Sequence, residues 1–359
     1  MLVTDKFLSL VRLGIGHHSE AVFQETDWQA IEALADKQGL LAIVLDGVEK
    51  LPDEMRPPLD TLLEWIGYIL QEYEQMYELY RKAIADLAGF YNKHGYKMMV
   101  LKGYACSLDW PKPNHRPYGD IDIWMFGDYK RADACVAKEE NVEIDSSKHH
   151  HTVFEWQDFT VENHYDFINV KRHPSHRGLE TIFKELGKEC HTEIGMRHQC
   201  VEVCGEKVYL PSPNLHALFL LRHALNHFAS VGINLRNILD WAFFIEKHTK
   251  VINWAWLQSV IDEYHMRDFY NCINAICVED LGFNPNIFPS VQNLPGLKEK
   301  VLNDILDPEF TRETPDGLFQ KWTFKYRRWR GNRWKQELCY KESGWRMFWN
   351  GLMVNLVKP

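Results

Sequence analysis

The chain has 359 residues, 45% hydrophobic and 25% charged, with a net charge of −9. That length suits two or three domains, and the balance is that of a soluble globular protein. The negative charge argues against polyanion binding by the chain as a whole, so any nucleic-acid contact has to be a local patch. No run of 18 apolar residues marks a membrane span. The N-terminal MLVTDKFLSLVRLG has no basic segment followed by a long apolar one, so no signal peptide is expected. Eight cysteines without a C-x-x-C pair read as reduced, mostly buried thiols of a cytoplasmic protein.

Residues 1–93 predict helices throughout. Phe7 to Leu13 suits a short one, closed by Gly14 and Gly16. Trp28, Ile31 and Leu34 follow at helical spacing, with Asp27 as N-cap. Leu40 to Val48 predicts another, and 59–92 the longest. Its stripe, including Leu62, Ile66, Ile69, Leu70, Tyr73 and Tyr77, runs at three- and four-residue steps. His94-Gly95 ends it. Met98 to Leu101 then reads as a buried strand running into Lys102-Gly103, and Tyr104 to Trp110 as a short helical piece.

Asp120-Ile121-Asp122-Ile123-Trp124-Met125 alternates with the period of a strand. Successive side chains point to opposite faces, so Asp120 and Asp122 share one face and Ile121, Ile123 and Met125 the other. Two neighbouring carboxylates repel unless a cation lies between them, which makes the pair a platform for Mg²⁺. A bare D-x-D is equally compatible with a solvated strand end. Residues 129–138 predict a helix. Residues 149–156 and 159–166 predict a hairpin turning at Gln157-Asp158, with Glu162, His164 and Asp166 on one face. Of His149, His150 and His151, only the first and third can face one ion if all three lie on a strand. A substrate- or solvent-facing role is favoured over a zinc site.

The 170–199 stretch reads as polar and irregular, and 201–210 as a second hairpin. Ser212-Pro213 opens a helix carrying His216, His223 and His227, for which packing or hydrogen bonding is favoured over metal binding. Arg236 and Asp240, four apart, are expected to pair along the next helix. Further helices are expected over 251–311, broken at Asn284-Pro285-Asn286. From Lys321 to Lys335 there are seven Lys or Arg and no acid, interleaved with Trp322, Phe324, Tyr326, Trp329 and Trp334. That mixture suits single-stranded RNA, or an amphipathic segment docked on the core.

The order of strand, glycine turn, short helix, Arg116 and D-x-D strand resembles the polymerase-β type of nucleotidyltransferase. More closely, it resembles an uncharacterised bacterial branch with the pattern L-K-G, a gap, then R-x-x-x-D-x-D, and the nucleotidyltransferase toxins of abortive-infection systems. The resemblance runs over roughly residues 80–240. It implies an α+β fold: a small mixed sheet flanked by helices, with an N-terminal helical region (1–93), a nucleotidyltransferase core (94–210) and a C-terminal helical domain (211–359). It also implies Mg²⁺, or alternatively Mn²⁺, held by Asp120, Asp122 and a third carboxylate. Glu162, two before His164, fits the third position and could also serve as general base, with Asp166 the competitor. An NTP would be bound through Lys102, Gly103, Arg116 and Gly119, and its nucleotidyl group passed to a small molecule, RNA or protein. Tyr104 stands where the superfamily usually has Ser. Two other readings stay open: a catalytically inactive nucleotide-binding or regulatory protein, and an RNA-binding protein acting through 321–335.

Overall fold

The centre of the fold is a pair of short apolar strands, β1 (Met99–Val100) and β2 (Ile121–Trp124), running antiparallel with Met99 opposite Trp124. The computed structural model describes residues 2–19, 23–171, 174–289, 292, 294, 296–308 and 317–340. Four further strands complete one mixed sheet: β3 (His151–Trp156), β4 (Phe159–His164), β5 (Cys200–Val203) and β6 (Glu206–Tyr209). Their order is β3-β4-β2-β1-β6-β5. β4 lies parallel to β2 and β6 parallel to β1, while both hairpins are antiparallel. The predicted α+β class and the joining of the 98–101, 120–125 and 159–166 stretches in one sheet are both found. The first hairpin turns at Gln157, which adopts φ 54°.

The alternation read from the sequence sorts the two faces. Met98, Val100, Ile121, Ile123, Met125 and Val161 pack under the Met76–Lys93 helix, in a core with Tyr77, Tyr80, Ile84 and Tyr91. The opposite face carries Met99, Leu101 and Trp124 into a larger core. That core holds both the N-terminal helices and the helices after residue 212, including Phe7, Ile43, Phe219 and Phe243. Polar links join the same two regions: Arg12 donates to the Asp280 carbonyl at 3.0 Å, and Gln38 to that of Ile305 at 3.0 Å.

Three local expectations need correction. The long 59–93 helix is continuous but contains a π segment, Leu70–Gln75. Its buried row is Trp65, Ile69, Tyr73 and Tyr77, every fourth residue, and the wider π turn keeps such a row on one side. Ile66 and Leu70, assigned to the buried stripe by ordinary helical phase, are 40% and 47% exposed. The 170–199 stretch is not irregular. It forms helices Arg177–Cys190 and Glu193–Gln199, the first burying Leu179, Phe183, Leu186 and Cys190 at three- and four-residue steps beneath a highly charged surface. Finally, Asp240 pairs with Arg116 rather than with Arg236.

His216 is packed, as expected, with Cys106 Sγ 3.9 Å away and the Phe244 ring centroid at 4.8 Å. Burial lowers its pKa from the usual 6.5 to about 4. A depressed folded-state pKa gives stability that is complete above the unfolded value and is lost as pH falls through the folded one. Between pH 6.5 and 4 the loss should be on the order of 3 kcal/mol. His216→Phe should therefore flatten the pH dependence of the melting temperature across this window. An unchanged slope would show that His216 does not contribute.

Candidate active site

The β2–β4 pairing sets the register of the site. Asp122 lies directly opposite Glu162, and Trp124 opposite His164, on parallel neighbouring strands. Carboxylates at facing positions on strands about 4.8 Å apart converge. Asp122 is 1% exposed, whereas Asp120, just before β2, is exposed at the mouth of the same cleft. Asp122, Glu162 and His164 each bring a ligand atom within 4.8 Å of the others. His164 Nε2 is 3.1 Å from Asp122 Oδ1 and 3.6 Å from Glu162 Oε2. Burial opposes charge on this imidazole, but its bonds to Asp122 and Glu162 override that and raise its pKa to about 9. Burial likewise acts against charge on Glu162, yet His164 and Lys102 hold it down at about 2. Asp120 moves the other way: burial, then Glu162 and Asp122, raise its pKa. Asp166, the other candidate for the third position, is placed differently. It lies beyond the end of β4 and pairs with Lys184 at 2.7 Å.

Lys102 reaches the carboxylates from the end of β1. Its Nζ is 3.0 Å from Asp122 Oδ1 and 3.3 Å from His223 Nε2. Burial, then the positive charge of Lys102, keep His223 neutral and able to accept that bond. Gly103 has φ 62°, and a Cβ there would lie 2.6 Å from Tyr80 Oη. The glycine turn is thus required by a tyrosine that also donates to the Asp120 carbonyl at 3.1 Å. The Tyr104 side chain is buried against Tyr77, in the core under the sheet. Gly119 lines the cleft, and a Cβ there would meet nothing within 4 Å.

The cleft, of about 610 Å³, runs from these carboxylates to the start of the Leu235–His248 helix. Arg116 lies in its wall with its fork engaged. Nε donates to Asp240 Oδ1 at 2.7 Å, Nη2 to Oδ2 at 2.9 Å, and Nη1 to the Pro117 carbonyl at 3.0 Å. This buried pair occupies the Nε–Nη2 face of Arg116, the residue read from sequence as a phosphate ligand. Arg236 lines the same cleft with its Nε buried and without an acceptor. Burial, then the neighbouring Arg116, lower its pKa to about 10. Two guanidiniums therefore stand against the single Asp240 carboxylate, leaving an excess of positive charge in this part of the cleft.

A family model described as an uncharacterised nucleotidyltransferase matches residues 24–282. The chain belongs to that family. Comparison with curated proteins and with solved structures gives no match. The family match contains Lys102, Asp120, Asp122, Glu162, Arg236 and Asp240, and it ends before the 321–335 segment. In this family member the end of that segment faces inward: Lys335 is buried and pairs with Asp304 at 2.6 Å, and Trp334 packs on the core. Tyr326, Arg327 and Arg330 are exposed. No helix among the described residues is long and apolar enough to cross a membrane. Sequence reasoning placed His164 on the carboxylate face but gave it no role. It missed Arg236, whose four-residue spacing to Asp240 suggested a local pair.

Proposed function

We propose that the chain transfers a nucleoside monophosphate from an NTP to a hydroxyl acceptor, with a divalent cation held by Asp120, Asp122 and Glu162. The observation that carries this reading is the Asp122–Glu162 register, with Asp120 at the mouth of the same cleft. The donor set suits a hard cation, since such ions take carboxylate oxygens. Asp122 Oδ1 is already engaged by Lys102 and His164, whereas its Oδ2 is buried with no hydrogen-bond partner. Mg²⁺ or Mn²⁺, when bound, would neutralise phosphate charge and lower the pKa of the acceptor hydroxyl.

The chain's own groups then have definable tasks. The acceptor oxygen bonds to the α-phosphorus, the bond to the bridging oxygen of the β-phosphate breaks, and pyrophosphate leaves. The hydroxyl proton passes to a carboxylate of the site. Lys102 and His164 fix Asp122 in place, so little reorganisation is needed as charge develops. Arg236 supplies the guanidinium for the polyphosphate, a role that suits its planar fork. Arg236→Ala should weaken NTP binding about tenfold, equivalent to about 1.4 kcal/mol, without changing the fold. Equilibrium dialysis with labelled nucleotide checks this, and wild-type affinity in the variant would remove Arg236 from the phosphate site.

The experiment for the reaction itself is incubation with each α-labelled NTP, Mg²⁺ and cell extract, followed by separation of the label. Label on an acceptor fraction, dependent on Mg²⁺, supports nucleotidyl transfer. Binding of nucleotide with no label transferred would instead support an inactive nucleotide-binding protein.

A further inference from the structure

We propose that His150, His151 and His164 form an imidazole site for a transition-metal ion of the Zn²⁺ class, beside the carboxylates and sharing His164 with them. One ring nitrogen of each lies within 4.8 Å of the others. The sequence reading allowed only alternate histidines to converge, but that rule holds only within a strand, and β3 begins at His151. His150 precedes it and is free of the alternation. Its ring centroid is 4.2 Å from that of His151 and 5.8 Å from that of His164. The His150 backbone is pinned too, its carbonyl accepting from the Tyr165 and Asp166 amides at 3.0 and 3.1 Å. The three rings are thus brought together at the open end of the β3–β4 hairpin, where His151 lies opposite His164.

Two further observations point to a ligand. His151 is 7% exposed and His164 5%, and the Nδ1 atoms of His150 and His151 are buried with no hydrogen-bond partner. Buried polar atoms normally find a partner, and orphans call for an unseen ion or water. Imidazole nitrogen selects Zn²⁺ and its neighbours in the first transition row, whereas Mg²⁺ prefers oxygen. Three histidines leaving one open position are an established zinc donor set. Tetrahedral zinc at about 2.1 Å from each nitrogen would place them about 3.4 Å apart, inside the 4.8 Å that bounds their present spacing. Glu162 Oε1 is 3.6 Å from His151 Nε2 and is available on the same side. His164 belongs to both groups: its Nε2 faces Asp122 at 3.1 Å and its Nδ1 the Asp166 carbonyl at 3.3 Å, so binding an ion here releases a proton from this ring and turns it from one of those partners.

The test uses the full chain stripped with chelator. Added Co²⁺, a coloured substitute for Zn²⁺, should give visible absorption that stoichiometric Zn²⁺ removes. His150→Gln and His151→Gln should each weaken Zn²⁺ binding about tenfold or more, at least the loss seen when a ligand's outer partner is removed. The stabilisation by Mg²⁺ should survive in His150→Gln, because that residue touches none of the carboxylates. X-ray absorption of the Zn²⁺-loaded wild-type chain should show three imidazole ligands, a readout that does not depend on any variant folding. An oxygen-only shell, or no Zn²⁺ binding, would overturn the proposal. So would Co²⁺ absorption lost in Asp120→Asn but kept in His150→Gln. Loss of the Mg²⁺ response or of nucleotidyl transfer would bear on the catalytic reading alone.

Discussion

Asp120→Asn should abolish nucleotidyl transfer and the Mg²⁺-dependent gain in melting temperature, while leaving the metal-free protein at least as stable as the wild type. Asp120 is reached by solvent at the cleft mouth, but the protein around it displaces part of its hydration, and that, then Glu162 and Asp122, raise its pKa. Removing that charge relieves repulsion in the empty site, so folding loses nothing. With the cation present the same charge is attractive. A ligand that binds only the folded state stabilises it by mass action, about 2.7 kcal/mol at a hundred times its dissociation constant. The variant should lose that gain, and its turnover should fall at least about 10²-fold, as on removal of one preorganised electrostatic group. Asp122→Asn should be equally inactive but also less stable. It would leave Lys102 at 3.0 Å and His164 at 3.1 Å from a neutral amide, two buried cations with less to offset them. Comparing the two variants by thermal melts with and without Mg²⁺ therefore separates a metal role from a structural one. If Asp120→Asn keeps the wild-type Mg²⁺ response, the cation does not bind at this cleft.

The parts of this site legible in sequence follow from local geometry. The period-two alternation fixed which face Asp120 and Asp122 share, and Glu162, two residues before His164, falls opposite Asp122 because β4 continues the same sheet. What sequence could not give were contacts between distant residues. Arg116 and Asp240 are 124 residues apart, and nothing near either specifies the other. The nearer basic residue, Arg236, has the spacing of a helical pair, which is why it was the natural partner to choose. The His150–His151 proximity was lost for a related reason. The strand starts two residues later than the pattern suggests, so His150 lies outside the alternation that was applied to it. The π segment within 59–93 was hidden because buried residues at four-residue steps can also be read as an ordinary amphipathic stripe. Helix Arg177–Cys190 was obscured by its charge, since its apolar residues are few and all lie on one side.

Arg116→Ala should cost about 3–5 kcal/mol of stability, the usual loss on breaking a buried ion pair by removing one partner. For a chain of this size that corresponds to a fall in melting temperature of about 4–7 °C. The reason lies in what remains. Asp240 is 5% exposed and would keep Trp110 Nε1 at 2.9 Å, but it would lose both bonds to the Arg116 fork. Burial acts against charge on Asp240, and Arg116 is the largest influence lowering its pKa. Without Arg116 the carboxylate keeps only the more distant charge of Arg236. Drawing Arg236 inward would remove the guanidinium proposed for the polyphosphate, so nucleotide affinity should fall together with stability. Arg116→Lys should recover little, because an ammonium cannot reproduce the two parallel bonds of the fork. Adding Asp240→Asn to Arg116→Ala should restore part of the lost stability, since the stranded charge is then gone, and a double-mutant cycle measures that coupling directly. The opposite pattern, a wild-type melting temperature in Arg116→Ala with nucleotide affinity lost, would return Arg116 to the phosphate site and make its pairing with Asp240 incidental.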